Sequence, residues 1–318
     1  MQSGKLIVHF LNVGHGDCTV IKHPSNRITV IDSSNGEAID EQRAEATLRA
    51  LRKDYRVFQL LRARGVTGKA ALKQMGASVE LTNPVEFIAR MYPNLGVFRY
   101  IQTHPEMDHM RGLAALLDHQ DISAFWDTEN DRDDDMRDSD QADWEAYCTM
   151  RKDNSRRVFV RGNDNAFYGS ANEYDKIDIL APTTAWTAEC NKNEKWNDMS
   201  IVVRVTHNGA SFVFGGDAES PAWDNMMADP IVKAKLKNIN VLKASHHGRV
   251  SGYDEKAVTW MSPSCVVMSI GEDCEHEAIE HYEKHTKLVL STYDCGDITM
   301  TVDEVGKVTY QTSHAKVA

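Results

Sequence analysis

Residues 101–112, IQTHPEMDHMRG, set His104, Glu106, Asp108 and His109 within six positions. An apolar run precedes the stretch, an amphipathic run follows it, and Pro105 marks the end of the preceding strand. Imidazole nitrogens and carboxylate oxygens at this density suit a borderline divalent ion such as zinc. Taken alone, the same residues also describe a polar turn. Ligands delivered at later strand ends decide between the two.

Such ligands follow. In residues 197–219, NDMSIVVRVTHNGASFVFGGDAE, the segments IVVRV and SFVFG alternate as a hairpin around HNGA. The chain then emits Gly216, Asp217 and Glu219 at a strand end, while His207 lies in the opposite turn and is not counted as a ligand. The next strand, INVLKA, ends in SHHG with His246 and His247. CVVMSIG is a further strand, and His276 stands at or before the start of the short helix after it, where an exposed helix cap is the alternative role.

Upstream, KLIVHFLNV (5–13), CTVI (18–21) and RITVID (27–32) form a meander. In the turn GHGD, glycines flank His15 and Asp17 follows, which reads either as the rim of a site or as a tight hairpin. Asp32 either supports a ligand or caps a turn. From about residue 37 to 91 the pattern is helical. RAEATLRALRKDYRVFQLLRARG (43–65) runs continuously to Gly65, and GKAALKQMG and PVEFIARMYP are shorter helices. With mixed charge, this region reads as an embellishment packed over a sheet. The acidic stretch 127–145 lacks the glycine and terminal glutamate of an EF-hand loop and reads as solvated.

A chain of 318 residues with 42% hydrophobic and 26% charged residues fits an ordinary globular protein. Its formal charge of −11 argues against a generally basic, nucleic-acid-coating surface. It does not exclude a phosphodiester substrate, because bound ions supply positive charge locally. The six cysteines are scattered without a CxxC pair, no apolar run reaches membrane-spanning length, and the N terminus lacks a signal-peptide pattern. A cytoplasmic protein with reduced thiols and no membrane association is the expectation.

The ordered segments FLNVGHGDCTVI, ITVIDSS, THPEMDHMRG, NDMSIVV, FVFGGDAE, LKASHHGR and SIG…His276 resemble the metallo-β-lactamase superfamily. Within it they are most similar to the nuclease-like cytoplasmic domain of bacterial competence DNA-uptake channel proteins. The resemblance spans almost the whole chain. It implies one α/β domain over residues 1–318, an αββα sandwich, with a helical embellishment at 37–95 and an acidic surface insertion at 127–170. The family's HxHxDH motif falls on His104, Glu106, Asp108 and His109, with glutamate replacing the second histidine. Asp217 matches the bridging aspartate and His247 the final ligand, with His246 the less favoured choice. Asp108, His109, Asp217 and His247 then make one complete site, and His104, Glu106 and Asp217 a weaker one.

The resemblance implies one or two ions, Zn2+ first and Mn2+ as the alternative, and hydrolysis by metal-activated water. The implied substrate is a phosphodiester, in a small molecule or a single-stranded nucleic acid. Asp108, Asp217, His246 and His276 are the candidate catalytic groups. His15, Asp17, Asn197, Lys243 and Arg249 are candidates for the rim, with Lys243 and Arg249 adding positive charge beside a phosphate. Two other readings stay open. One is hydrolysis of another ester or a phosphocholine-type group in an aromatic cage of Trp126, Tyr168 and Trp186. The other is a noncatalytic metal-binding regulatory module with a protein partner.

Overall fold

Alternating apolar residues in the strands decide which faces meet. In β1 (Leu6–Phe10), Leu6, Val8 and Phe10 share one face, and in β8 (Val202–His207) so do Val203 and Val205. These faces close on each other as the inner core of two packed sheets. The computed structural model describes residues 4–35, 41–77, 81–133, 138–160, 175–269 and 276–314.

The first sheet adds β2 (Thr19–Lys22), β3 (Ile28–Ile31), β4 (Val97–Ile101), β5 (Ala124–Asp127), β6 (Arg157–Phe159), β13 (Ile298–Val302) and β14 (Val308–Thr312). Its order is β14-β13-β1-β2-β3-β4-β5-β6. The meander β1-β2-β3 is antiparallel, whereas β3, β4, β5 and β6 run parallel. The second sheet contains β7 (Ile177–Ala181), β8, β9 (Ala210–Phe214), β10 (Val241–Lys243), β11 (Cys265–Met268) and β12 (Val289–Ser291), in the order β12-β11-β10-β9-β8-β7. The hairpin β8–β9 turns at Asn208 and Gly209, both at positive φ.

Each sheet's outer face is covered by helices. Over the first lie α4 (Pro84–Met91), α5 (Leu113–His119) and α6 (Gln141–Lys152), with Ile88, Leu113, Leu116, Trp144 and Tyr147 packed against Val20, Val30, Tyr100 and Phe125. Over the second, Trp223, Met226, Val258, Met261 and Tyr282 cover Val213, Leu242 and Val266. The layers are therefore helix, sheet, sheet, helix: a metallo-β-lactamase-like αββα sandwich.

Between β3 and α4 come α1 (Glu41–Ala50), α2 (Tyr55–Ala63) and α3 (Gly68–Gln74), which close on a small core of their own around Leu48, Phe58 and Leu72. The continuous helix read over 43–65 is two. Arg52 takes a left-handed φ of 55°, and the Asp54 carboxylate caps α2 by accepting from the Arg56 N–H. A local cap thus overrides the apolar periodicity. Among the described residues no helix is long and apolar enough to cross a membrane. Residues 134–137 and 161–170 of the acidic segment, Tyr168 among them, lie outside the described residues.

Candidate metal centre

The two-residue period of the inner faces carries polar groups into the site. Ile101 belongs to the inner core and Thr103 follows two residues on, while Asp32, directly after Ile31, reaches the site through a left-handed φ of 56°. In the other sheet, Val241 faces inward and so does Lys243, two residues on, while Cys265 and Val267 carry the pattern to Ser269. These residues meet where the strand ends of both sheets converge.

Three loops are laced together there. Asp17 N–H donates to the Asp108 carbonyl (3.2 Å), Ser34 N–H to that of Asp17 (3.0 Å) and Ser33 N–H to that of His109 (2.9 Å). Gly16 makes the first approach possible. Its φ is +127°, and a Cβ there would collide with the Asp108 carbonyl and the Ser34 side chain.

Asp17, His109, Asp217 and His247 are all buried, and one ligand atom from each lies within 4.8 Å of the others. A second group, His15, Asp108 and His247, meets the same distance and is more open. His109 Nε2 is 3.2 Å from Asp217 Oδ1, and His247 Nε2 is 3.1 Å from Asp108 Oδ2 and 3.5 Å from Asp217 Oδ2. His104 Nε2 approaches Asp217 Oδ2 at 3.9 Å. Glu106 belongs to neither group, and its carboxylate lies 3.9 Å from Arg132 Nη1.

Four atoms at this centre, His104 Nε2, His109 Nε2, His247 Nδ1 and Asp217 Oδ1, are buried without a hydrogen-bond partner. Leaving such groups unpaired is costly unless something else engages them. Two imidazoles and two carboxylates are a donor set that fits zinc, and the oxygen share also suits manganese. The charge pattern agrees. Burial raises Asp17, but Lys243 and His247 outweigh it and hold the carboxyl well below the usual range. Burial likewise opposes a charge on His247, yet Asp217, Asp108 and Asp17 push the imidazole up to about 10. The carboxylates that favour a charged His247 would equally favour a bound cation.

The surrounding groups orient these ligands. The Asp32 carboxylate accepts from Thr103 N–H (2.8 Å) and Thr103 Oγ1 (2.7 Å) and lies 2.8 Å from His109 Nδ1. That contact leaves His109 Nε2 facing the site. Ser200 Oγ accepts from Asp217 N–H at 2.9 Å. His246 and His247 both have left-handed φ, 49° and 59°, strained for non-glycine residues, and the turn sends the two rings to different partners. His246 Nδ1 lies 3.1 Å from Glu219 Oε1 and 2.7 Å from Ser251 Oγ, and its Nε2 is 3.8 Å from Asp217 Oδ2. Asn197 bonds the Glu219 side chain.

The remaining sequence candidates have partners of their own. Lys243 is 4% exposed and held between Asp17 (2.8 Å) and Ser269 Oγ (2.7 Å), so its charge is already engaged inside the protein. Arg249 takes its place in the turn after Gly248, where its N–H donates to the His246 carbonyl. His276 is exposed, and its carbonyl accepts from Val250 N–H. Trp126 is buried between the sheets, and Trp186 Nε1 donates to the Asp198 carbonyl, 2.7 Å away. Asp17 stands inside the four-residue cluster, although the sequence placed it only near a rim. Ser269 carried no sequence signal beyond the period of β11.

No family model and no curated protein matches the sequence. Among solved structures the chain is similar to Igni18, a metallo hydrolase from the hyperthermophilic archaeon Ignicoccus hospitalis, at 11% identity and a TM-score of 0.48, covering 97% of this chain and 100% of that one. It is also similar to the metallo-β-lactamase fold protein YhfI from Bacillus subtilis, at 9% identity and a TM-score of 0.41, covering 96% and 99%. A third, CmlA, a diiron β-hydroxylase from Streptomyces venezuelae, gives 9% identity and a TM-score of 0.38 over 83% of this chain and 44% of that one. The two mixed sheets flanked by helices are what make this chain a metallo-β-lactamase-like fold.

Proposed function

We propose that this protein is a metal-dependent hydrolase acting on phosphodiesters. The observation that carries the reading is the buried cluster of Asp17, His109, Asp217 and His247 with unpaired atoms facing one another. These four residues would hold one divalent ion, and His15 and Asp108 with His247 would offer a second, more open position. A divalent ion held there supplies a Lewis acid that lowers the pKa of water and offsets charge developing on phosphoryl oxygens.

The protein's own groups set the geometry. Asp32 fixes the His109 ring, and Ser200 fixes the backbone of Asp217. Asp108, with 18% of its side chain exposed, orients the attacking water from the open side. His246 turns its Nε2 toward the site, 3.8 Å from Asp217 Oδ2, and Glu219 Oε1, 3.1 Å from its Nδ1, holds the ring where it can serve the departing oxygen.

The test uses purified protein loaded separately with zinc or manganese and a panel of single-stranded DNA, RNA, cyclic dinucleotides and small chromogenic phosphodiesters. Cleavage that disappears in a folded Asp217→Ala variant supports the reading. No cleavage across the panel by fully loaded protein overturns it and favours a noncatalytic metal-binding module.

A further inference from the structure

Charge is not spread evenly along this chain. Residues 41–76, which form α1, α2 and α3, hold nine Lys and Arg against three Asp and Glu, a formal +6. The chain totals −11, so the other residues carry −17. The whole insertion, 37–95, is of mixed charge with ten basic and seven acidic residues, and its positive excess is concentrated on α1–α3.

The basic side chains do not build the insertion's core. That core is Ala44, Leu48, Phe58, Ala71, Leu72 and Ala77. Arg49, Arg52, Arg56, Arg62, Arg64 and Lys73 are exposed. Two of them sit beside carboxylates, Arg49 near Glu45 and Arg56 near Asp54, and the exposed pairs add little to stability.

The described residues that flank the insertion, Ser34 and Thr82, both bond to the loop between β1 and β2. On the way out, Ser34 N–H donates to the Asp17 carbonyl (3.0 Å). On the way back, Thr82 N–H donates to the carbonyl of Asn12 (2.9 Å), at the start of the loop that carries His15 and Asp17. A cationic appendage is thus rooted beside a site rich in carboxylates.

We propose that α1–α3 form a docking surface for the phosphate backbone of a single-stranded nucleic acid, which they hold next to the metal centre. The inference rests on the phosphodiester reading and narrows it from any phosphodiester to a polymeric one. Localised positive charge attracts a polyanion that the acidic remainder would repel. Leu51, Val57 and Leu60 are also exposed on these helices, at 49%, 45% and 60%. They are aliphatic, while both aromatics of α2 pack into the insertion's own core, Phe58 buried and Tyr55 half-buried and stacked on it.

The experiment measures binding apart from turnover. Full-length protein in EDTA is titrated against a fluorescent single-stranded oligonucleotide over a salt series. The comparison is with Arg52→Glu/Arg62→Glu/Arg64→Glu/Lys73→Glu, and with the Gln version if charge reversal impairs folding by circular dichroism. The expected result is salt-dependent binding by the wild type, at least tenfold weaker in the variant. The salt slope should fall by roughly 0.7 for each phosphate contact removed. Turnover of a small chromogenic phosphodiester should stay unchanged. Equal binding by variant and wild type, no binding by the wild type at low salt, or preferential binding to phosphatidylglycerol vesicles each overturns the proposal. If no phosphodiester is hydrolysed, the hydrolase reading fails, and the binding result still decides this one.

Discussion

Lys243 Nζ lies 2.8 Å from Asp17 Oδ1, a buried ion pair that joins the end of β10 in one sheet to the loop between β1 and β2 in the other. Ser269 completes it, with contacts to both partners. The pair ties a metal-ligand candidate to the opposite sheet. Lys243→Met leaves the Asp17 charge buried without its nearest cation, which costs about 3 kcal/mol or more. Urea unfolding of metal-free protein should show that loss. Zinc should restore more stability to the variant than to the wild type, and equal zinc effects would argue against a shared role of Asp17.

Asp32 acts through His109. With Asp32→Asn, His109 loses the carboxylate that fixes its ring, while the Thr103 bonds can persist. Zinc affinity measured by chelator competition should fall by about 10- to 100-fold with little change in fold. An unchanged affinity would remove His109 from the ligand set.

Gly16 is where space and backbone conformation both exclude a side chain. Gly16→Ala should destabilise by more than about 1 kcal/mol and separate the loop bearing His15 and Asp17 from Asp108. Ala at Gly65, also at positive φ but with nothing within 4 Å, serves as the comparison. Metal binding should weaken in the first variant and not in the second.

His9 gives a pH dependence remote from the metal ligands. Its ring sits between Thr299 (2.8 Å) and Tyr92 (2.6 Å) under Phe87, and burial pushes it down from 6.5 to about 4. Unfolding therefore takes up a proton between those values. The stabilisation is complete above pH 6.5 and is lost as pH falls toward 4, with a slope of up to about 1.4 kcal/mol per pH unit. His9→Gln should flatten the wild-type dependence of urea midpoints over that window. Parallel curves would show that His9 is not held neutral.

The sequence by itself determined most of the strands, though not β6, and the order in which His, Asp and Glu reach strand ends, because the two-residue period and the turn residues act locally. That Asp217, His109 and His247 stand at such ends was legible for that reason. Tertiary structure decided which side chains meet in one cluster. Asp17 enters it because Gly16 lets one loop lie against another, and Lys243 is paired with Asp17 because the second sheet's inner face points it there. Glu106, inside the motif, turns to Arg132 from a different segment. Asp54 divides a helix that periodicity alone would continue. These outcomes depend on residues far apart in the chain or on a single local cap, and hydrophobic periodicity records neither.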